Sequence, residues 1–113
     1  MKQIESLVDV ELLVNSFYDK VVVDAILSPF FEHLDFEHHL PKMIDFWAFV
    51  LLDKAGYTTD VTQKHAHMRL KTEHFDAWLH LFNETVDELF IGEKAELAKQ
   101  RAFVVGWTIQ SKH

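Results

Sequence analysis

The chain has 113 residues, of which 49% are hydrophobic and 13% aromatic, and its formal net charge is −7. A chain of this length forms one core, so we expect a single domain over residues 1–113. The acidic balance argues against nucleic acid as a partner, because phosphate binding needs a basic face. The absence of cysteine excludes disulfides and thiol catalysis.

Neither the N-terminal sequence nor the hydropathy pattern indicates export or membrane insertion. The first residues, MKQIESLVDVELL, contain no long apolar run followed by a small-residue cleavage site. No apolar stretch reaches the roughly 18–20 residues that a membrane span requires. We therefore expect a cytoplasmic protein with no membrane partner.

Long apolar patterns with the 3.6-residue period of an α-helix, punctuated by only three glycines and two prolines, predict an all-α fold. The first helix is predicted from Val8 to Val23. Short helical turns follow from Asp24 to Leu34, interrupted at Pro29. The apolar side of the first helix is predicted to contain Leu12, Phe17, Tyr18, Val21 and Val22.

A second helix is predicted from Phe36 to Lys54, with Asp35 as its N-cap and Gly56 as its stop signal. A loop over residues 57–60 and a short helix over residues 61–69, which carries His65, follow it. Along the second helix one apolar stripe contains His39, Met43, Phe46 and Val50.

Two further helices complete the pattern, from Thr72 to Phe90 and from Glu93 to Ser111, with Gly92 between them. The apolar face of the helix from Thr72 to Phe90 contains Phe75, Trp78, Leu79, Phe82, Val86, Leu89 and Phe90. The last helix buries Leu97, Ala98, Ala102, Val105 and Ile109. Four such helices fit either a compact bundle or two crossed pairs, and the pattern does not distinguish them.

Several motifs occur in a fixed order along the chain. Tyr57 lies eight residues before His65, and His65 lies thirteen residues before Trp78. The other motifs are FY at Phe17–Tyr18, HLPxMxxFW at His39–Trp47 and HFxxWLxLF at His74–Phe82. Together they resemble the third group of truncated globins over nearly the whole chain. This resemblance implies a two-over-two helical sandwich around a haem pocket.

The resemblance further implies haem b as the cofactor and His65 as the proximal iron ligand. Without it, His65 is one histidine in the polar segment QKHAH, where His67 would point about 200° away on a helix. The family spacing selects His65. The other residues expected to contact haem are His39, Phe31, Met43, Phe46, Trp47 and Trp78, although core packing would also account for the apolar ones.

Diatomic ligands (dioxygen, nitric oxide or carbon monoxide) would bind opposite His65 at a five-coordinate iron, among Tyr18, His39 and Trp78. A tyrosine hydroxyl and an indole N–H are hydrogen-bond donors that need partners when buried. The pattern alone favours Tyr18 and Trp78 as ordinary core aromatics, and only the resemblance assigns them to the ligand site. His38 is expected to be solvated, since it lies about 100° around the helix from His39.

The resemblance implies ligand or redox chemistry, such as nitric oxide detoxification, more than oxygen transport. A nitric oxide dioxygenase or peroxidase-like activity would need electrons from a separate reductase. We expect a monomer or weak dimer. Two alternatives remain: a haem-free helical interaction or sensor module, and a histidine site for zinc or nickel. The spacing does not support a closed four-histidine site, because the pairs His38–His39 and His65–His67 are isolated.

Overall fold

The computed structural model describes residues 2–32, 35–54 and 71–111, and over these ranges the protein is helical. Each of its helices begins and ends within two residues of the predicted bounds, which confirms the all-α class. The predicted loop over 57–60 and the short helix over 61–69 lie outside the described residues. None of the described helices combines the length and hydropathy that a membrane span requires. The helices are α1 (Leu7–Val21), α2 (Phe36–Leu52), α3 (Thr72–Leu89) and α4 (Glu93–Ser111), with a 3₁₀ turn at Ser28–Phe30.

The four helices form two pairs that cross. Helix α1 packs against α2 and α3, while α4 packs against α3 and α2. The end of α1 meets the start of α2, since Tyr18 contacts His39, and the start of α3 meets the second half of α4, since the rings of Phe75 and Phe103 lie 5.9 Å apart. Each pair therefore runs antiparallel, as in the expected two-over-two sandwich.

The buried side of α1 differs from the predicted one at two positions. Leu12 is 47% exposed, because it lies about 100° around the helix from the buried Leu13. Val22 is also exposed, because α1 ends at Val21 and the chain turns away there. The prediction that Leu12 and Val22 face the core is wrong. The buried residues of α1 follow spacings of three and four, at Val10, Leu13, Val14, Phe17 and Val21.

The segment before α1 is tied to the α3–α4 connection. The backbone N–H of Ile91 donates to the carbonyl of Lys2 at 2.9 Å, and Lys2 pairs with Phe90 in an isolated parallel β-bridge. Gly92 adopts φ +108°, a left-handed conformation that disfavours other residues. This turn directs the chain from α3 into α4 beside the N-terminal segment.

Asp9 holds this N-terminal segment in place. The residue is 5% exposed, and its carboxylate accepts hydrogen bonds from Lys2 Nζ at 2.9 Å and from the backbone N–H groups of Glu5 and Ser6 at 2.9 and 3.2 Å. The Lys2 ammonium, followed by the Glu5 N–H, lowers the pKa of Asp9. The carboxylate also sits in the first turn of α1, where the helix dipole favours negative charge.

Replacing Asp9 with asparagine should destabilise the protein by about 0.3–1 kcal/mol at neutral pH, because it removes the negative charge from the pair with Lys2 and from the first turn of α1. Because folding lowers this pKa, the carboxylate stabilises the native state above its unfolded pKa, near 4, and loses that effect as pH falls through the folded value. The difference in urea midpoint between wild type and Asp9→Asn should therefore become smaller as the pH is lowered from 7 to 5 to 3. The exposed Asp45→Asn is the control, and an equal loss there would contradict the assignment.

Candidate functional site

Residues of all four helices line one cavity. Its volume is about 90 Å³, below the roughly 300–1,000 Å³ typical of small-molecule sites, but its lining is predominantly apolar and aromatic, as in such sites. Among the described lining residues, only Tyr18, Trp47, His74 and Trp78 carry side-chain nitrogen or oxygen atoms. The remaining lining residues are Phe17, Leu27, Phe30, Phe31, Met43, Phe46, Phe75, Val105, Gly106 and Ile109.

Mutually packed aromatic rings form one wall of this cavity. Phe17 makes edge contacts with Tyr18 at 5.2 Å and with Trp78 at 5.8 Å between ring centroids. Phe82 supports these rings from behind, stacked on Trp47 at 4.8 Å and on Trp78 at 5.9 Å. Edge-to-face and offset-stacked contacts at these distances are the favourable geometries for aromatic pairs. The wall is therefore packed directly against the core through Phe82.

A hydrogen-bonded pair of polar side chains joins α1 to α2 at the cavity. The hydroxyl oxygen of Tyr18 lies 2.9 Å from His39 Nε2. Burial raises the pKa of the Tyr18 hydroxyl, because a phenolate would lose its hydration, so this hydroxyl stays protonated. When His39 carries its proton on Nδ1, Tyr18 donates to Nε2; in the other tautomer, His39 donates to the Tyr18 oxygen. The pair can thus supply a donor without gaining charge.

His74 lies in the first turn of α3 and lines the same cavity. Its Nδ1 accepts a hydrogen bond from the backbone N–H of Lys71 at 2.9 Å, which is the part that Glu or Gln plays at this position of a capping box. Its ring packs edge-on against Phe30 at 4.8 Å. The helix start and the Phe30 ring together fix the orientation of this imidazole.

Helix α4 closes the cavity with a glycine. A Cβ atom at Gly106 would lie 2.4 Å from Cε1 of Phe75 and 3.2 Å from Cζ3 of Trp78. Glycine within a helix costs roughly 0.8–1 kcal/mol relative to alanine. In return, the rings of Phe75 and Trp78 rest directly on the backbone of α4.

The structure places most of the residues expected at the site around this cavity. Tyr18 and Trp78 line it, and His39 is joined to it through Tyr18. His38, in contrast, is exposed, as predicted. His65 and His67 lie outside the described residues. Of the expected haem contacts, the cavity is lined by Phe31, Met43, Phe46, Trp47 and Trp78.

Several lining residues were not predicted from the sequence as site residues, most notably His74, Phe75 and Gly106. His74 and Trp78 are four residues apart, so they share one face of α3, and this spacing was a usable signal for His74. Gly106 gave no such signal, because a glycine inside a helical pattern shows nothing about what packs against it. Phe30 followed a proline, and its direction depends on the 3₁₀ turn at Ser28–Phe30.

These residues fit a haem group. Haem is a flat, largely apolar macrocycle that needs apolar walls, an axial ligand and access for a diatomic molecule. The cavity offers aromatic walls, and the Tyr18–His39 pair offers hydrogen-bonding groups where a bound ligand could reach them. Within residues 2–32, 35–54 and 71–111, no group of three His, Asp or Glu side chains comes together to hold a metal ion directly.

Comparison with known proteins also indicates a globin. The model of the bacterial-like globin family matches residues 4–105. A group 3 truncated haemoglobin of Campylobacter jejuni is 29% identical in an alignment of 106 positions that covers 88% of this chain and 84% of that protein. A group 1 truncated haemoglobin of Tetrahymena pyriformis is 32% identical over 74 residues, 65% of this chain and 61% of that protein.

Solved structures share the fold. The group III truncated haemoglobin from Campylobacter jejuni superimposes with a TM-score of 0.86 at 28% identity, covering 98% of this chain and 94% of that one. A truncated haemoglobin from Tetrahymena pyriformis in its Fe(III) form gives 0.73 at 26% identity, covering 92% and 87%. With a family match over most of its length and the crossed helix pairs of the truncated haemoglobins, this chain belongs to the bacterial-like globin family.

Proposed function

We propose that this protein binds haem b through His65 and binds diatomic ligands on the opposite face, among Tyr18, His39 and Trp78. Membership of the globin family implies haem binding. The observation that carries the finer proposal is the Tyr18–His39 hydrogen bond beside an aromatic-walled cavity that all four helices share. Phe31, Met43, Phe46 and Trp47 would pack against the macrocycle and exclude water from it.

Haem, when bound, supplies an iron coordination position for a small ligand, and the protein decides how firmly that ligand is held. The buried, protonated Tyr18 hydroxyl can donate to a ligand that carries partial negative charge. If Tyr18 turns towards the ligand, His39 loses one hydrogen bond, so the pair has two alternative arrangements. Trp78, on the neighbouring wall, is a second donor through its indole N–H.

Several hydrogen-bond donors around one ligand favour slow ligand release. That behaviour suits ligand or redox chemistry, such as nitric oxide detoxification, better than oxygen transport. Electrons for any such turnover would come from a separate reductase. We further propose a single domain, acting as a cytoplasmic monomer or weak dimer. The net charge of −7 gives no reason to add nucleic acid to its partners.

Titration of the purified protein with haemin, followed by reduction under carbon monoxide, tests this proposal. A saturable one-to-one Soret band that shifts with carbon monoxide is the expected result. A protein that is helical by circular dichroism but takes up no haemin specifically would favour the alternative function, a haem-free helical interaction or sensor module.

Tyr18→Phe should leave haem uptake intact and raise the dioxygen dissociation rate by roughly tenfold or more, because a hydrogen bond to a charged group contributes about 1.5–3 kcal/mol. Stopped-flow replacement of dioxygen by carbon monoxide measures this rate. Carbon monoxide dissociation, measured in the same variant, is the control, since that ligand carries less charge. Equal dioxygen rates in wild type and variant would remove Tyr18 from the ligand site.

A further inference from the structure

The hydrogen bond at the start of α3 determines what His74 can do. Its Nδ1 accepts from the Lys71 backbone N–H at 2.9 Å, so that nitrogen carries no proton. A neutral imidazole has one proton, which must then be on Nε2. This Nε2 is a donor with no free lone pair. His74 is therefore built to donate a hydrogen bond and is unsuited to bind iron in this orientation.

The Nε2–H of His74 has no hydrogen-bond acceptor among the described residues. Its nearest charged neighbour is Glu73 Oε1 at 3.9 Å, beyond hydrogen-bond length. The His74 side chain is 16% exposed and packed against Phe30, so water reaches it only in part. Because this donor is not sealed from water, a charged acceptor at the same place would replace a water molecule with a stronger partner.

His74 also lies where the cavity meets solvent. It lines the apolar cavity, yet its chain neighbours Lys71, Thr72 and Glu73 are exposed. Tyr18, another polar lining residue, already pairs with His39. A ligand group that accepts a hydrogen bond from His74 would thus lie at the solvent-facing edge of the bound ligand.

We propose that His74 Nε2–H donates to a carboxylate of the bound haem, an inference that rests on the proposed function. Haem carries two carboxylates on one edge, and charged groups of this kind are not buried without partners, so that edge must lie at the rim. The positive end of the α3 dipole favours an anion there too. Glu73 opposes it only weakly, because its side chain is 65% exposed and well solvated.

Haemin and haemin dimethyl ester, which lacks the carboxylates, distinguish this hydrogen bond from simple packing. The measurement is the rate of haem loss to an excess of a haem-scavenging apoprotein, for wild type and His74→Phe with each cofactor. We expect His74→Phe to speed haemin loss by roughly tenfold and to change ester loss by less than about twofold. His74→Gln, which keeps an N–H donor, should recover part of the difference.

His80→Phe is the matched control. His80 lies on the same helix but is 76% exposed and paired with Glu84, so its loss should leave both rates unchanged. Equal acceleration with haemin and with the ester would mean that His74 only packs against the macrocycle, and an unchanged haemin rate would mean that it makes no contact; either result overturns this inference alone. Wild-type protein that takes up neither cofactor would overturn the proposed function itself.

Discussion

His65→Ala should abolish tight haem retention, whereas His67→Ala should leave it intact. Removing the axial ligand removes a bond to the iron itself. The loss should therefore exceed the roughly 10–100-fold cost of deleting an outer-shell partner of a metal ligand. Haemin titration and haem-loss rates measure both variants under identical conditions.

The two histidines make a sharp pair because they differ by two residues in one polar segment, QKHAH. On a helix they would point about 200° apart, so only one could face the iron. Added imidazole should restore a normal Soret band in His65→Ala by occupying the space left by the side chain. Retention in His65→Ala together with loss in His67→Ala would place the ligand two residues further along the chain.

Phe82→Ala should lower the free energy of unfolding by about 3–5 kcal/mol, the usual cost of deleting a buried aromatic ring. Phe82 is 1% exposed and stacks on both Trp47 and Trp78. Its loss would also remove the support behind the cavity wall. Urea unfolding followed by circular dichroism measures the stability of the protein without cofactor, and haemin affinity should fall as well.

Phe103→Ala is the comparison for that variant. Phe103 is half exposed on α4, so its deletion should cost no more than about 1.5 kcal/mol. A similar loss of stability in both variants would show that the ring stack around Phe82 contributes no more to stability than a half-exposed ring does.

Helix positions could be read from the sequence because their signals are local. Asp35 does occupy the N-cap of α2, and Gly92 does follow α3, in a conformation that favours glycine. The face of α1 was less accessible to prediction, since Leu12 and Leu13 are the same residue type at adjacent positions. Only the direction from which α2 and α3 approach decides that Leu13 is buried.

The candidate site also combines residues that the sequence predicts with contacts that depend on how the helices pack. Tyr18, Trp78 and the α2 residues could be predicted because the order and spacing of their motifs resemble those of the truncated globins. This resemblance did not show that Tyr18 and His39 bond to each other, which depends on how the end of α1 meets the start of α2. Nor did it show His74 as a donor, because that depends on a hydrogen bond to a backbone N–H.

Gly106 sets an upper limit on the size of the cavity. At this point its boundary is the main chain of α4, so no substitution there can enlarge it, and any side chain must displace Phe75 or Trp78. Substitution of Gly106 can therefore only reduce the volume of the cavity. A relative or engineered variant that accepts a larger ligand would have to gain its room at another part of the lining, for example by shortening Met43 or Phe46.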